Sequence, residues 1–186
     1  MKKILILAFV LVLAFTSLTL TACEAFIEAF NEGFHGTPDE ETQTVNSSES
    51  ELSMEFPKSW KKETLHEDAS VQMGHLAREQ YMMVFEEPVS DFPLGFTLGD
   101  YADVILESMA DTVDTDSAPS IKNTQIGGIS AKQFEISGTV DDLEISYLVT
   151  MIEHDGMIYQ FCAWVLEKRY EYAKPIFDSI LDSIDF

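Results

Sequence analysis

Residues 146–164, SYLVTMIEHDGMIYQFCAW, decide the fold. Apolar side chains occupy every second position of the first arm, which starts at Leu143, and Asp155-Gly156 follows as a two-residue turn. This dipeptide is typical of tight hairpin turns, because both central residues of such turns need a positive φ. The second arm, Met157–Leu166, is apolar on both faces. The pattern predicts a long β-hairpin in the middle of a sheet.

The segments around the hairpin show the same strand period of two. Residues 52–57 alternate apolar and polar side chains until Pro57, which is typical of a short edge strand. Further alternating or apolar runs predict three more strands, at residues 71–77, 81–85 and 129–140.

Two segments have helical rather than strand spacing. Thr97 and Asp100 form a capping box, and apolar residues then recur at helical intervals, so residues 98–110 are predicted to be a helix. A second apolar series predicts a closing helix that begins near Ala173, with Pro175 in its first turn, and packs across the hairpin. Runs of strands with two helices and no βαβ alternation predict an α+β fold with an antiparallel sheet flanked by helices.

Four stretches carry a family resemblance: MEFPKSW, GGISAKQFEISG, the hairpin and IFDSILDSIDF. In this order they resemble the PsbP-like fold, which is shared by a photosystem subunit, a Ran-binding nuclear transport factor and many bacterial lipoproteins. The resemblance implies an α/β/α sandwich that forms one domain over residues 52–186. It also implies a binding or assembly role rather than catalysis, and no functional residue of the family matches a position here.

The N-terminus predicts export. Lys2 and Lys3 precede an apolar run of about a dozen residues, which suits a secretory signal better than a spanning helix of roughly 20. Residues 20–23, LTAC, resemble the bacterial lipoprotein signal, which is cut between Ala22 and Cys23 in this sequence. The resemblance implies a signal peptide over residues 1–22 and acyl chains on Cys23 that hold the protein at the extracytoplasmic face of the cell membrane. An uncleaved signal anchor is the alternative.

A tether is predicted over residues 23–51. Phe26, Phe30 and Phe34 form an aromatic stripe on a short amphipathic stub, which is expected to touch the membrane, touch a partner or stay frayed. Residues 36–50 are polar and acidic with almost nothing to bury, so they are predicted to be disordered.

The net charge of −22 limits the partners of the chain. Such a chain repels phosphate backbones, so nucleic-acid binding is not expected. The charge serves solubility or supplies an acidic docking face for a basic partner.

Few residues suggest chemistry. Asp111, Asp114 and Asp116 form a weak candidate for a divalent cation, but the glycine and bidentate glutamate of a calcium loop are missing. Cys162 lies in an apolar run and is expected to be a small buried hydrophobe rather than a nucleophile. Trp60 is most simply a core or sheet-face aromatic, and a partly exposed Trp60 near a rim is a weak candidate for a partner anchor. Without a nucleophile elbow, phosphate loop or dinucleotide fingerprint, we expect no cofactor and no enzymatic activity.

Two functional hypotheses follow from the sequence. The first is a lipid-anchored, non-catalytic module that binds or assembles with another envelope protein. The second is a lipoprotein that binds a small ligand or a cation, either in a cleft between sheet and helix or at the acidic loop.

Overall fold

The computed structural model describes residues 41–115 and 119–186. Within these residues the helices are α1 (Leu98–Ala110) and α2 (Tyr170–Asp182). The strands are β1 (Thr42–Asn46), β2 (Ser53–Pro57), β3 (Lys61–Lys62), β4 (Val71–His75), β5 (Gln80–Pro88), β6 (Lys122–Ile126), β7 (Ile129–Val140), β8 (Leu143–His154) and β9 (Met157–Leu166). No helix of the described part is long and apolar enough to cross a membrane.

Seven of the described strands form one antiparallel sheet in the order β3-β4-β5-β9-β8-β7-β6, and β1 and β2 form a separate pair. The β8–β9 hairpin lies at the centre of the large sheet, as its sequence predicted. Asp155 and Gly156 both have positive φ, at 47° and 78°, which fits the right-handed twist of the two arms. The α+β class is therefore confirmed.

The folded domain begins earlier than residue 52. β1 pairs in register with β2, and the Gln43 side-chain amide donates to the backbone oxygens of Pro57 at 3.2 Å and Trp60 at 2.8 Å. Val45 also packs against the core. The predicted tether is thus wrong for residues 42–51, because ladder hydrogen bonds and one partly buried valine order this polar segment. The predicted signal peptide, Ala22, Cys23 and the Phe26, Phe30 and Phe34 stripe lie outside the described residues.

One face of the sheet packs against α2 and the β1–β2 pair, and we call it the closed face. Trp60 is 1% exposed there, with its ring 5.6 Å from that of Phe56 and 6.2 Å from that of Phe177. The prediction of Trp60 as an exposed partner anchor is therefore wrong, since the indole fills the core between β2 and α2.

α2 begins at Tyr170, earlier than predicted, so Pro175 lies inside the helix rather than in its first turn. Its ring removes one backbone hydrogen bond. Burial of Tyr170 and Ala173 in the core offsets that loss and keeps the first turn helical.

The opposite face, which we call the open face, has α1 as its only covering helix among the described residues. The predicted capping box is present: Asp100 N–H donates to Thr97 Oγ1 at 3.2 Å, and Thr97 N–H donates to Asp100 Oδ2 at 2.8 Å. A helix is about 10 Å wide, whereas seven strands at about 4.8 Å spacing span roughly 29 Å. Because α1 packs over β7 and β8, it leaves part of β5 and β9 without a covering helix.

A glycine fixes where α1 leaves the sheet. The segment after α1 runs close over β7, where Asp114 and Thr139 exchange backbone hydrogen bonds of 3.1 and 2.9 Å. Gly138 permits this approach, since a Cβ on it would overlap the carbonyl oxygen of Asp114.

Candidate functional site

A cleft of about 420 Å³ lies between α1 and the uncovered strands of the open face. Its volume falls within the range of about 300–1,000 Å³ that is usual for small-molecule sites. We call it the α1 cleft.

The sheet supplies the floor of the α1 cleft. Side chains two apart on a strand point to the same face, so Phe85 and Glu87 of β5 reach the cleft together, as do Gln160 and Cys162 of β9. Tyr147 of β8 completes the floor. Most of these positions are apolar or buried, and Glu87 and Gln160 bring polar groups to one end.

The helix supplies the facing wall. Tyr101, Ile105 and Met109 recur every four residues and therefore lie on one side of α1. Ser108 lines the same wall, and Thr112 and Val113 close the cleft after the helix ends. The same helical spacing that predicted α1 from sequence thus places an apolar strip beside the cleft.

Tyr101 links the helix to the floor. Its hydroxyl lies 2.6 Å from Glu87 Oε2 and 2.9 Å from Gln160 Oε1, so that one phenol joins α1 to β5 and β9. Burial, together with the charge of Glu87 and the hydrogen bond to it, raises the pKa of Tyr101 well above its ordinary value. The phenol therefore keeps its proton at neutral pH and holds the Glu87 carboxylate in place.

The deep part of the cleft is desolvated. Tyr147 is 2% exposed, and burial, followed by the nearby Cys162 and Asp141, raises its pKa. No hydrogen bond joins its hydroxyl to another described residue. Burial also raises the pKa of the Cys162 thiol to about 12, so this cysteine is a protonated, weakly polar group at neutral pH.

The lining of the α1 cleft is acidic. Asp68 and Glu87 line it, and none of its described lining residues is a lysine or an arginine. Glu86 alternates with Glu87 on β5, so its side chain points to the other face, where Ser47 Oγ and Ser70 Oγ donate to its Oε1 at 2.5 and 2.6 Å. A cleft lined by charges of one sign concentrates ions of the opposite sign.

The acidic loop, which the sequence suggested as a cation site, is considered separately from the α1 cleft. Asp111 is the residue that ends α1, and Asp114 is held by its backbone to Thr139, while Asp116 lies outside the described residues. Among residues 41–115 and 119–186, no three acidic, histidine or cysteine side chains form a metal-binding group. The three-aspartate site stays a prediction.

Sequence reasoning did not identify the residues of the α1 cleft. The sequence feature that could have identified them is a polar residue at an inward-facing position of an otherwise buried strand, as at Glu87 and Gln160. That signal needs the strand register, because a shift of one residue would turn both side chains to the other face.

Comparison with solved structures settles the fold. The solution structure of cyanobacterial PsbP from Synechocystis sp. PCC 6803 matches with a TM-score of 0.59 and 17% identity, over 89% of this chain and 98% of that one. The domain has the PsbP-like fold.

Two further structures share this PsbP-like architecture. LpqN of Mycobacterium tuberculosis, described as involved in cell envelope biogenesis, matches with a TM-score of 0.51 and 10% identity over 77% of this chain and 89% of that one. A protein from Bacteroides thetaiotaomicron matches with a TM-score of 0.52 and 7% identity, over 78% of this chain and 48% of its own length. No protein-family model matches the sequence, and no curated protein matches it at a significant level.

Proposed function

We propose that this protein is a non-catalytic binding protein of the cell envelope that holds a small ligand in the α1 cleft. The observation that carries the proposal is the cleft itself, in which apolar walls and a few fixed polar groups converge in a volume that suits a small molecule. The PsbP-like fold agrees with a binding role.

The chemistry of the cleft supports binding rather than catalysis. A cysteine nucleophile needs a lowered pKa, whereas burial raises that of Cys162. Tyr101 is neutral and hydrogen-bonded to Glu87, so its proton is committed to positioning a carboxylate. These groups are suited to holding a ligand.

We place the protein at the extracytoplasmic face of the membrane, with acyl chains on Cys23. The N-terminal lysines, the apolar run and residues 20–23 support this location, and the structural likeness to LpqN agrees with it. Mass spectrometry of the N-terminal peptide should find a diacylglyceryl modification on Cys23 that Cys23→Ser removes, with release of the protein from the membrane. An unmodified Cys23 in a membrane-bound protein would overturn the lipid anchor.

A cleft-filling variant tests the binding function. The full-length protein, in nanodiscs of phosphatidylcholine, is screened by thermal shift against small cationic, neutral and anionic compounds. A ligand at 100 times its Kd stabilises the folded state by about 2.7 kcal/mol. We expect at least one compound to raise the Tm of the wild type and of the control Glu107→Trp, which changes an exposed residue of the same helix, but not of Ser108→Trp.

The outcome shows directly whether the α1 cleft is the binding site. If no compound of any charge raises the Tm, or if the rise persists in Ser108→Trp, the α1 cleft is not the binding site.

Assembly with another envelope protein is a second candidate function. It is favoured by the loop at residues 92–96, where Leu94 is fully exposed beside the stacked rings of Phe92 and Phe96, 4.9 Å apart. A photo-crosslinking amino acid at position 94 should trap one stoichiometric partner in native membranes, and Phe96→Ser should abolish the product. Crosslinks to many proteins, or none, would remove this candidate.

A further inference from the structure

We propose that the ligand of the α1 cleft is a small amphipathic cation, an ammonium group carried on an apolar or aromatic body. The inference rests on the proposed binding function and names the chemical class of the ligand. It follows from the charge of the lining, the balance of hydrogen-bond donors and acceptors, and the apolar walls.

The charge of the lining selects a cation. Asp68 and Glu87 line the cleft, and none of the other described lining residues is basic. An anionic ligand would meet like charges in a partly desolvated site, where repulsion is stronger than in water. A cationic ligand would be attracted by the same charges.

The polar end of the cleft is richer in acceptors than in donors. The Tyr101 hydroxyl has one proton, and both Glu87 Oε2 and Gln160 Oε1 lie within hydrogen-bond distance of it. A carboxylate offers about four lone-pair sites, and Tyr101 uses one of those on Glu87. An ammonium group has three donors and no acceptor, so it complements this end of the cleft.

The walls require an apolar body on the ligand. Phe85, Ile105 and Met109 line the cleft between the carboxylates and the deep end. A bare metal ion or a small polar cation would leave this surface and most of the 420 Å³ unfilled by ligand. The aromatic faces nearby also suit a cation, which is attracted to the ring electrons.

The deep end has room for a second polar atom. Tyr147 lines this end of the cleft, and its hydroxyl makes no hydrogen bond to a described residue. A ligand that ends in a hydroxyl would gain a hydrogen bond by reaching it, in a site where such bonds are stronger than in water. An amine that carries a phenol at its opposite end has this form.

Four commercially available probes separate these features. Tyramine is the cation with a phenol; tyrosol is its neutral analogue, 4-hydroxyphenylacetate its anionic analogue, and phenethylamine the cation without the phenol. Binding of each is measured by isothermal titration calorimetry on the full-length protein in phosphatidylcholine nanodiscs, with empty nanodiscs as the blank.

We expect the affinity to fall from tyramine to tyrosol to 4-hydroxyphenylacetate. Tyramine should bind about tenfold more tightly than tyrosol. Glu87→Gln should lower the affinity for tyramine by about tenfold and change the affinity for tyrosol by less than about twofold. The matched control Glu107→Gln removes the same charge from an exposed position of α1 that does not line the cleft, and should leave both affinities unchanged. Phenethylamine should bind less tightly than tyramine, and Tyr147→Phe should remove that difference.

Each contrary result has a separate meaning. Equal or tighter binding of tyrosol or 4-hydroxyphenylacetate, blocked in Ser108→Trp, would overturn the cation class and leave the binding function standing. Equal weakening of tyramine by Glu87→Gln and Glu107→Gln would show attraction by net charge alone and would also overturn the proposal. No binding of any compound, here and in the wider screen, would overturn both proposals.

Discussion

The two faces of the central sheet are covered by different amounts of structure. On the closed face, α2 and the β1–β2 pair bury Trp60, Phe56 and Phe177 almost completely. On the open face, the single helix α1 covers β7 and β8 and leaves a cleft over β5 and β9. One sheet therefore has a packed core on one side and a core plus a cleft on the other.

This difference separates stability from function within one domain. A protein interior packed to crystal-like density resists any change in volume, so the closed face has little freedom to vary. The open face keeps enough apolar contact to fold, while Glu87, Gln160 and Tyr147 bring polar groups to the lining of the α1 cleft. The following substitutions test whether the two faces differ in this way.

The largest effect is expected on the closed face. Phe177→Ala removes a ring that is fully buried against Trp60 and should lower the free energy of unfolding by about 3–5 kcal/mol. Met109→Ala on the open face borders the cleft and is only half-buried, so it should cost about 1 kcal/mol or less. Urea unfolding followed by tryptophan fluorescence measures both. Similar losses for the two variants would contradict the distinction between the faces.

A smaller effect is expected where the segment after α1 crosses the sheet. Gly138→Ala places a methyl group against the backbone of Asp114, and such overpacking costs about 1–3 kcal/mol. Displacement of that segment should also disturb Thr112 and Val113 at the end of the cleft. The exposed control Ser130→Ala, on the same strand, should stay within about 0.5 kcal/mol of the wild type. An unfolding curve of Gly138→Ala that overlays the control would refute this account of the crossing.

The ionisation of Tyr101 should make stability depend on pH in the alkaline range. Its pKa is raised above the ordinary 10.0 by burial and by Glu87, so the folded protein keeps a proton that the unfolded chain loses above pH 10. This contribution to stability is complete below pH 10 and declines above it, by up to about 1.4 kcal/mol per pH unit.

Tyr101→Phe should therefore reduce the loss of stability between pH 10 and pH 11, measured by urea unfolding at each pH. An unchanged slope in the variant would show that Tyr101 ionises equally easily in the folded protein.

The smallest effect is expected at the solvent-exposed edge of the closed face. Lys58 Nζ lies 2.6 Å from Glu41 Oε2, but the two side chains are 58% and 80% exposed. Exposed ion pairs contribute little, so Lys58→Met should change the free energy of unfolding by less than about 0.5 kcal/mol. A loss above about 1 kcal/mol would mean that this pair, rather than the buried rings, holds the β1–β2 region.

Much of the fold could be predicted from local signals in the sequence. The β8–β9 hairpin follows from alternation and the Asp155-Gly156 turn, and α1 follows from the Thr97 and Asp100 capping box. β7 also has the predicted bounds, because its apolar and polar residues alternate along its whole length. In each case neighbouring residues determine the conformation without help from distant parts of the chain.

The remaining elements depend on contacts between distant segments. β1 has a polar sequence that favours disorder by composition, and it is ordered by its pairing with β2 and by Gln43. Trp60 suited a rim position in sequence, but α2 covers it from more than a hundred residues away. The α1 cleft was foreseen only as a general possibility between sheet and helix, because its residues come from three strands, one helix and two loops.

Methyl NMR spectroscopy of the full-length protein in phosphatidylcholine nanodiscs tests the central claim most directly. On addition of tyramine, with empty nanodiscs as the blank, we expect shifts of the Ile105, Met109 and Val113 methyl signals, which belong to the α1 cleft. The methyl signals of Met54, Val165 and Ile180 on the closed face should stay in place. Shifts of equal size on both faces, or on neither, would contradict the claim that the open face binds a small amphipathic cation.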